Sequence, residues 1–136
     1  MRIDPLAKAR ARGTRLRRDV LAQGDMLTLA EAAQALRLTP EAVTDRVRAG
    51  RLIALQAAAR GPNYPAWQFR AELAGKPLEA VLNALKGQSS WTIHRFFTTP
   101  DDTLEGATPL EVLTRGDLEA VLEAAGLFST GEQGGR

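Results

Sequence analysis

Apolar residues recur at helical spacing in two short stretches close together in the first half of the chain. Leu29, Ala32, Ala33 and Leu36 stand at i, i+3, i+4 and i+7, one face of a helix. Thr28 precedes this run and Glu31 follows three residues later, a capping-box pattern. After Arg37 and Leu38, Thr39 is placed to cap a second helix, with Pro40 at its first position, where no amide donor is needed. Val43 and Val47 are the inward i, i+4 pair of that helix, and Gly50 suits a left-handed stop.

The pattern then changes. Leu52, Ile53, Ala54 and Leu55 form a short apolar run that predicts a strand, and Arg60, Gly61, Pro62 and Asn63 form a turn cluster. Tyr64 to Phe69 predict the returning strand, with Trp67 and Phe69 turned inward by the period of two. Two helices, a tight turn and a hairpin within residues 27–69 predict a helix-turn-helix with a wing. The outer face of its second helix, with Glu41, Thr44, Asp45 and Arg48, is polar and suits a DNA major groove.

Helical periodicity resumes at Pro77 with Leu78, Val81, Leu82 and Leu85, and breaks at Gly87, Gln88 and Ser89. Ser90 is expected to cap a short helix from Trp91 to about Phe97. Thr108 and Pro109 open another helix, which Gly116 closes. Asp117 caps a last one, lined by Leu118, Val121, Leu122 and Ala125. The expected fold is mainly α: a winged helix-turn-helix with a short two-stranded β-hairpin, followed by a small C-terminal helical domain. The boundaries read as a basic arm or helix at 1–23, the winged unit at 24–76, the helical unit at 77–128 and a glycine-rich disordered tail at 129–136.

Charge sharpens this division. The net charge of +2 hides a gradient. Residues 1–23 hold seven Lys/Arg against two acids, residues 24–76 seven against five, and residues 77–136 four against nine. A basic front suits phosphate, and an acidic rear suits a different partner. Groove contacts are expected from Thr39, Thr44, Asp45 and Arg48, and backbone contacts from Arg46, Arg51 and the wing-tip Arg60. The N-terminal arginines, Arg15, Arg17 and Arg18 among them, read either as an arm along the DNA backbone or as a solvated basic helix face.

The winged segment resembles the MerR/excisionase type of helix-turn-helix through its LTLAEAAQAL helix, LTPEAV turn and VRAGRLIAL passage. The acidic Glu41 and Asp45 on the second helix depart from that type. Residues 91–125 resemble the toxin-binding domain of the Xre/MbcA/ParS antitoxins. Trp91, Phe96-Phe97, Thr99-Pro100, Leu104, Gly106, Thr108-Pro109-Leu110 and Leu113 follow the order of that family. This resemblance implies an operon autorepressor that also binds a RES-type toxin. The partner face it implies comprises Phe97, Asp101, Asp102, Leu104, Glu105, Gly106, Pro109, Leu110 and Glu111. The front half does not follow the usual Xre-type helical domain, which leaves open an orphan regulator or a protein-interaction adaptor. A core this poor in aromatics is expected to gain from a homodimer interface.

Enzyme chemistry finds little footing. His94 is the one histidine and reads as a packing residue. Asp101, Asp102 and Glu105 sit in a turn, where Asp serves as cap and turn former. No phosphate loop or nucleophile elbow is spelled out, and neither a metal nor a cofactor is expected. The absence of cysteine excludes disulfides and thiolate chemistry and fits a cytoplasmic protein. No apolar run approaches the length of a membrane span, and residues 1–18 lack the apolar core of a secretory signal.

Overall fold

The computed structural model describes residues 25–57 and 61–134. The basic arm or helix expected at 1–23, with Arg15, Arg17 and Arg18, and the wing-tip Arg60 lie outside the described residues.

The chain begins with a two-residue strand, β1 (Met26–Leu27), followed by α1 (Leu29–Leu36) and α2 (Pro40–Arg48). Both helices start as their sequences dictate. Thr28 Oγ1 accepts from the Glu31 N–H at 3.1 Å while Glu31 returns to the Thr28 N–H at 2.8 Å. Thr39 Oγ1 accepts from the Ala42 N–H at 3.1 Å. Each helix ends in a Schellman turn. For α2, the Gly50 N–H reaches the Val47 carbonyl and the Arg51 N–H the Arg46 carbonyl, with Gly50 at φ +75°. For α1, the left-handed position falls to Arg37 (φ 56°). Ala32 and Ala33 on α1, both buried, have no bulk to hold α2 away, and Val43 is buried between the two helices.

The wing is a three-stranded antiparallel sheet in the order β1-β3-β2, formed by β1, β2 (Leu55–Ala57) and β3 (Gly61–Pro65). Leu55 pairs with Asn63 and Leu27 with Tyr64, so β3 is the central strand. The expected hairpin is present but displaced along the chain: β2 begins at Leu55 rather than Leu52, and β3 takes in Gly61, Pro62 and Asn63, which the sequence pattern assigns to the turn. Leu52 to Ala54 are not in the ladder, and Ala66–Phe69 wind into a 3-10 turn instead of continuing the strand. One side chain accounts for both differences. Gln68, fully buried, accepts from the Ile53 N–H at 2.9 Å and donates to the Ile53 carbonyl at 2.8 Å. Its carboxamide takes the place of a neighbouring strand, and the turn at 66–69 brings it there. Trp67 is buried as expected, though from a turn rather than by strand alternation, and Phe69 is half-buried.

The rear half holds α3 (Lys76–Ala84), α4 (Ser90–Thr98), a 3-10 turn at Asp102–Leu104, α5 (Pro109–Thr114) and α6 (Leu118–Gly134). The cap of α4 is Ser89, not Ser90: its Oγ accepts from the Thr92 N–H at 3.1 Å. Thr108 and Glu111 form a second capping box at α5. Asp117 accepts from the Ala120 N–H at 3.2 Å to start α6. This last helix runs through residues 129–134, which composition assigned to a disordered tail.

Helix α6 packs on α3 and α5. A continuous set of buried side chains runs from Ala32 to Ala125 and joins the two halves. An aromatic chain crosses the junction. Trp67 lies 4.6 Å from Phe97 between ring centroids, Phe97 5.4 Å from Phe96, and Phe96 5.1 Å from Phe128 on α6. Such tilted pairs each add about 0.5–1.5 kcal/mol beyond the area they bury. No described helix is long and apolar enough to cross a membrane.

Candidate nucleic-acid interface

Helix α2 turns Val43 inward and leaves Glu41, Asp45 and Arg48 exposed at i, i+4 and i+7. These three define its outer face. Asp45 and Arg48 approach to 3.7 Å, with both side chains more than 70% exposed (72% and 77%). An exposed pair of this kind contributes at most about 1 kcal/mol and parts readily for a competing partner.

The other sequence-predicted contacts surround this face unevenly. Thr39, at the helix start, is exposed, and its oxygen is engaged as the cap. Thr44 is half-buried and its hydroxyl donates to the Pro40 carbonyl at 3.1 Å, so it is partly committed to the helix backbone. Arg46 is half-buried. Arg51 is exposed directly beyond the Schellman turn, whose backbone bonds fix its position relative to Arg48.

A groove of about 430 Å³ opens beside Arg48 and Arg51. One wall is the end of α2 and the segment to Ile53, and the other is α3 with the corner leading into α4. Lys86 and Gln88 stand on this second wall. Sequence reasoning missed both, because residues 86–89 carry only the signal of a helix break. Their relation to Arg51 exists only in three dimensions.

The rear candidates separate into two groups. Phe97 is fully buried and Pro109 nearly so, which removes both from any accessible partner face; they belong to the core. Leu104 and Leu110 are half-buried against the same core. Asp102, Glu105, Gly106 and Glu111 are exposed, and Asp101 is half-buried. Several of these have local tasks. Asp101 Oδ1 accepts from the Thr103 N–H at 2.8 Å and its hydroxyl at 2.6 Å, closing the turn. Glu105 and Gly106 both adopt left-handed backbone, at φ 58° and 84°. Glu111 accepts from the Thr108 N–H and hydroxyl, and these bonds hold its carboxyl below the usual carboxylate value.

His94 is buried on α4. The Trp67 indole N–H donates to its Nδ1 at 3.3 Å, and burial pushes its pKa down. Its proton therefore sits on Nε2. Among the described residues no group of three or more His, Cys, Asp or Glu is placed to hold a metal.

No protein-family model matches the sequence, and no curated protein is similar to it at a significant level. Among solved structures, the chain is similar to the NMR structure of Rv2175c, with a TM-score of 0.68 and 23% identity over 78% of this chain and 82% of that one, a likeness of fold.

Proposed function

We propose that the protein is a DNA-binding regulator that presents α2 to the major groove. The observation that carries this reading is the outer face of α2, with the exposed Asp45 and Arg48 one turn apart and Arg51 held beyond them by the Schellman turn. An arginine here suits the N7 and O6 of guanine, and an aspartate suits the amino group of cytosine. Arg51 suits a backbone phosphate. Because α2 carries acids as well, affinity draws on cations around it. A mobility shift with the DNA upstream of the protein's own gene tests the proposal. A retarded, salt-sensitive complex supports it, and no complex with any duplex at low ionic strength contradicts it.

The finer reading, an autorepressing antitoxin with a RES-type toxin partner, draws its support from the residue order between Trp91 and Leu113. Its accessible contacts are Asp102, Glu105, Gly106 and Glu111. Co-purification with a RES-type product encoded beside the gene is the corresponding test. A homodimer would double the DNA footprint, and Leu127, 56% exposed on α6, offers apolar surface for it. A monomer mass that does not change with concentration in sedimentation overturns the dimer.

One observation favours a protein-binding adaptor as a second reading. Glu41 and Asp45 both project from α2, where each opposes phosphate. Loss of a protein partner on Arg48→Ala with Arg51→Ala, with DNA behaviour unchanged, would select it.

A further inference from the structure

The side chains of α2 carry no net charge. Its two acids, Glu41 and Asp45, offset its two arginines, Arg46 and Arg48. Such a helix adds little to a general attraction for phosphate. On the outer face the balance is acidic, because Arg46 is half-buried while Glu41, Asp45 and Arg48 are exposed. The Asp45 carboxylate and the Arg48 guanidinium stand one turn apart, at 3.7 Å. Among the described residues the Asp45 carboxylate has no other partner.

If Arg48 leaves this pair for DNA, Asp45 is left facing a polyanion. Phosphate oxygens, guanine N7 and O6 and thymine O4 are acceptors and repel a carboxylate. Donors in the major groove are the amino groups of cytosine and adenine, and adenine sets its N7 acceptor beside that donor. The cytosine amino group is therefore the base edge that best receives Asp45. Residues at i and i+3 of a helix stand about 5–6 Å apart at their Cβ atoms. That spacing keeps both side chains within reach of one base pair or its neighbour, stacked about 3.4 Å away. We propose that Asp45 is the specificity-determining residue of α2. It admits Arg48 to a guanine only where a cytosine amino group stands beside it, and it opposes binding to other sequences. The partner is then a duplex with a G·C pair at its core, and Asp45 acts chiefly by exclusion of wrong sites. This role rests on the reading of α2 as a groove helix.

The test compares the full chain with its Asp45→Ala variant on two fluorescent duplexes at one salt concentration. One duplex has mixed sequence; the other is the best site that the parent protein selects from a random pool. An alanine at this exposed helical position should not lower thermal unfolding. Asp45→Ala should bind the mixed duplex more tightly than the parent does. Its preference for the selected site should fall by about tenfold, within the usual cost of one wrong base pair. The selected site should contain a G·C pair whose change to A·T weakens the parent by about tenfold and the variant far less. Equal tightening on both duplexes would mean that Asp45 acts through its charge alone, and overturns the proposal. A selected site without an essential G·C pair, or no tightening on the mixed duplex, overturns it too. If the parent binds no duplex, the DNA-binding reading falls and takes this role with it. If the parent binds and both proteins keep the same preference, only the role of Asp45 falls.

Discussion

The indole N–H of Trp67 and Nδ1 of His94 meet at 3.3 Å, joining the turn after β3 to α4. The bond needs the lone pair on Nδ1, so it exists only while the imidazole is neutral. Burial lowers the histidine pKa from its ordinary 6.5. The unfolded chain therefore takes up a proton at a higher pH than the folded one. Stability from this site is complete above pH 6.5 and is lost as the pH falls through the depressed folded value. The urea midpoint should decline across that window, and His94→Asn, which keeps an acceptor near Nδ1 but does not titrate, should flatten the decline. An equal slope in parent and variant would assign the effect elsewhere.

Gln68 is the second residue joining separate segments. Replacing it with Leu leaves the N–H and carbonyl of Ile53 buried without partners, which should cost about 2–4 kcal/mol. Urea unfolding measures this. A destabilisation below about 0.5 kcal/mol, the range of ordinary surface substitutions, would mean that water replaces the carboxamide.

Gly50 should not tolerate a side chain. Its φ of +75° costs an alanine about 1–2 kcal/mol, although no atom lies within 4 Å of the added carbon. Gly50→Ala should lower stability by that amount and weaken DNA binding by loosening Arg51. Unchanged stability would show that the turn relaxes without strain.

The parts legible in the sequence are those set by neighbours along the chain. Thr28 with Glu31, Thr39 with Pro40, Thr108 with Glu111, and Gly50 all act within a few residues, and each does what its spacing indicates. The strand limits were not legible, because the partner of Ile53 is a side chain fifteen positions away. Nor was β1, two residues long, whose pairing with Tyr64 and Pro65 leaves no periodicity to read. For the candidate site, the outer face of α2 followed from helical spacing. That Lys86 and Arg51 line one groove did not, since the segments that carry them come together only in the fold. Phe97 shows the converse: a residue singled out by family order proves to be the centre of the core.

Phe97 and Glu105 should therefore behave differently. Phe97→Ala should destabilise by about 3–5 kcal/mol through the cavity it leaves. Glu105→Gly, at a left-handed position, should leave stability unchanged or slightly raised. If a rear partner exists, that exposed substitution is the one that can alter its binding without loss of fold. Comparable destabilisation by both would contradict the separation of core from accessible face.

Contact between DNA and α2, with the cations beside it, is the central claim. Its most direct test is the salt dependence of binding to a fluorescent duplex, for the parent protein and for Arg48→Ala with Arg51→Ala. Log affinity should fall linearly with log salt, and the double substitution should weaken binding and shallow the slope by about 1, for the phosphate that Arg51 no longer neutralises, with the circular dichroism unchanged. A slope identical in the two proteins, or no salt-sensitive binding in either at low ionic strength, would contradict it.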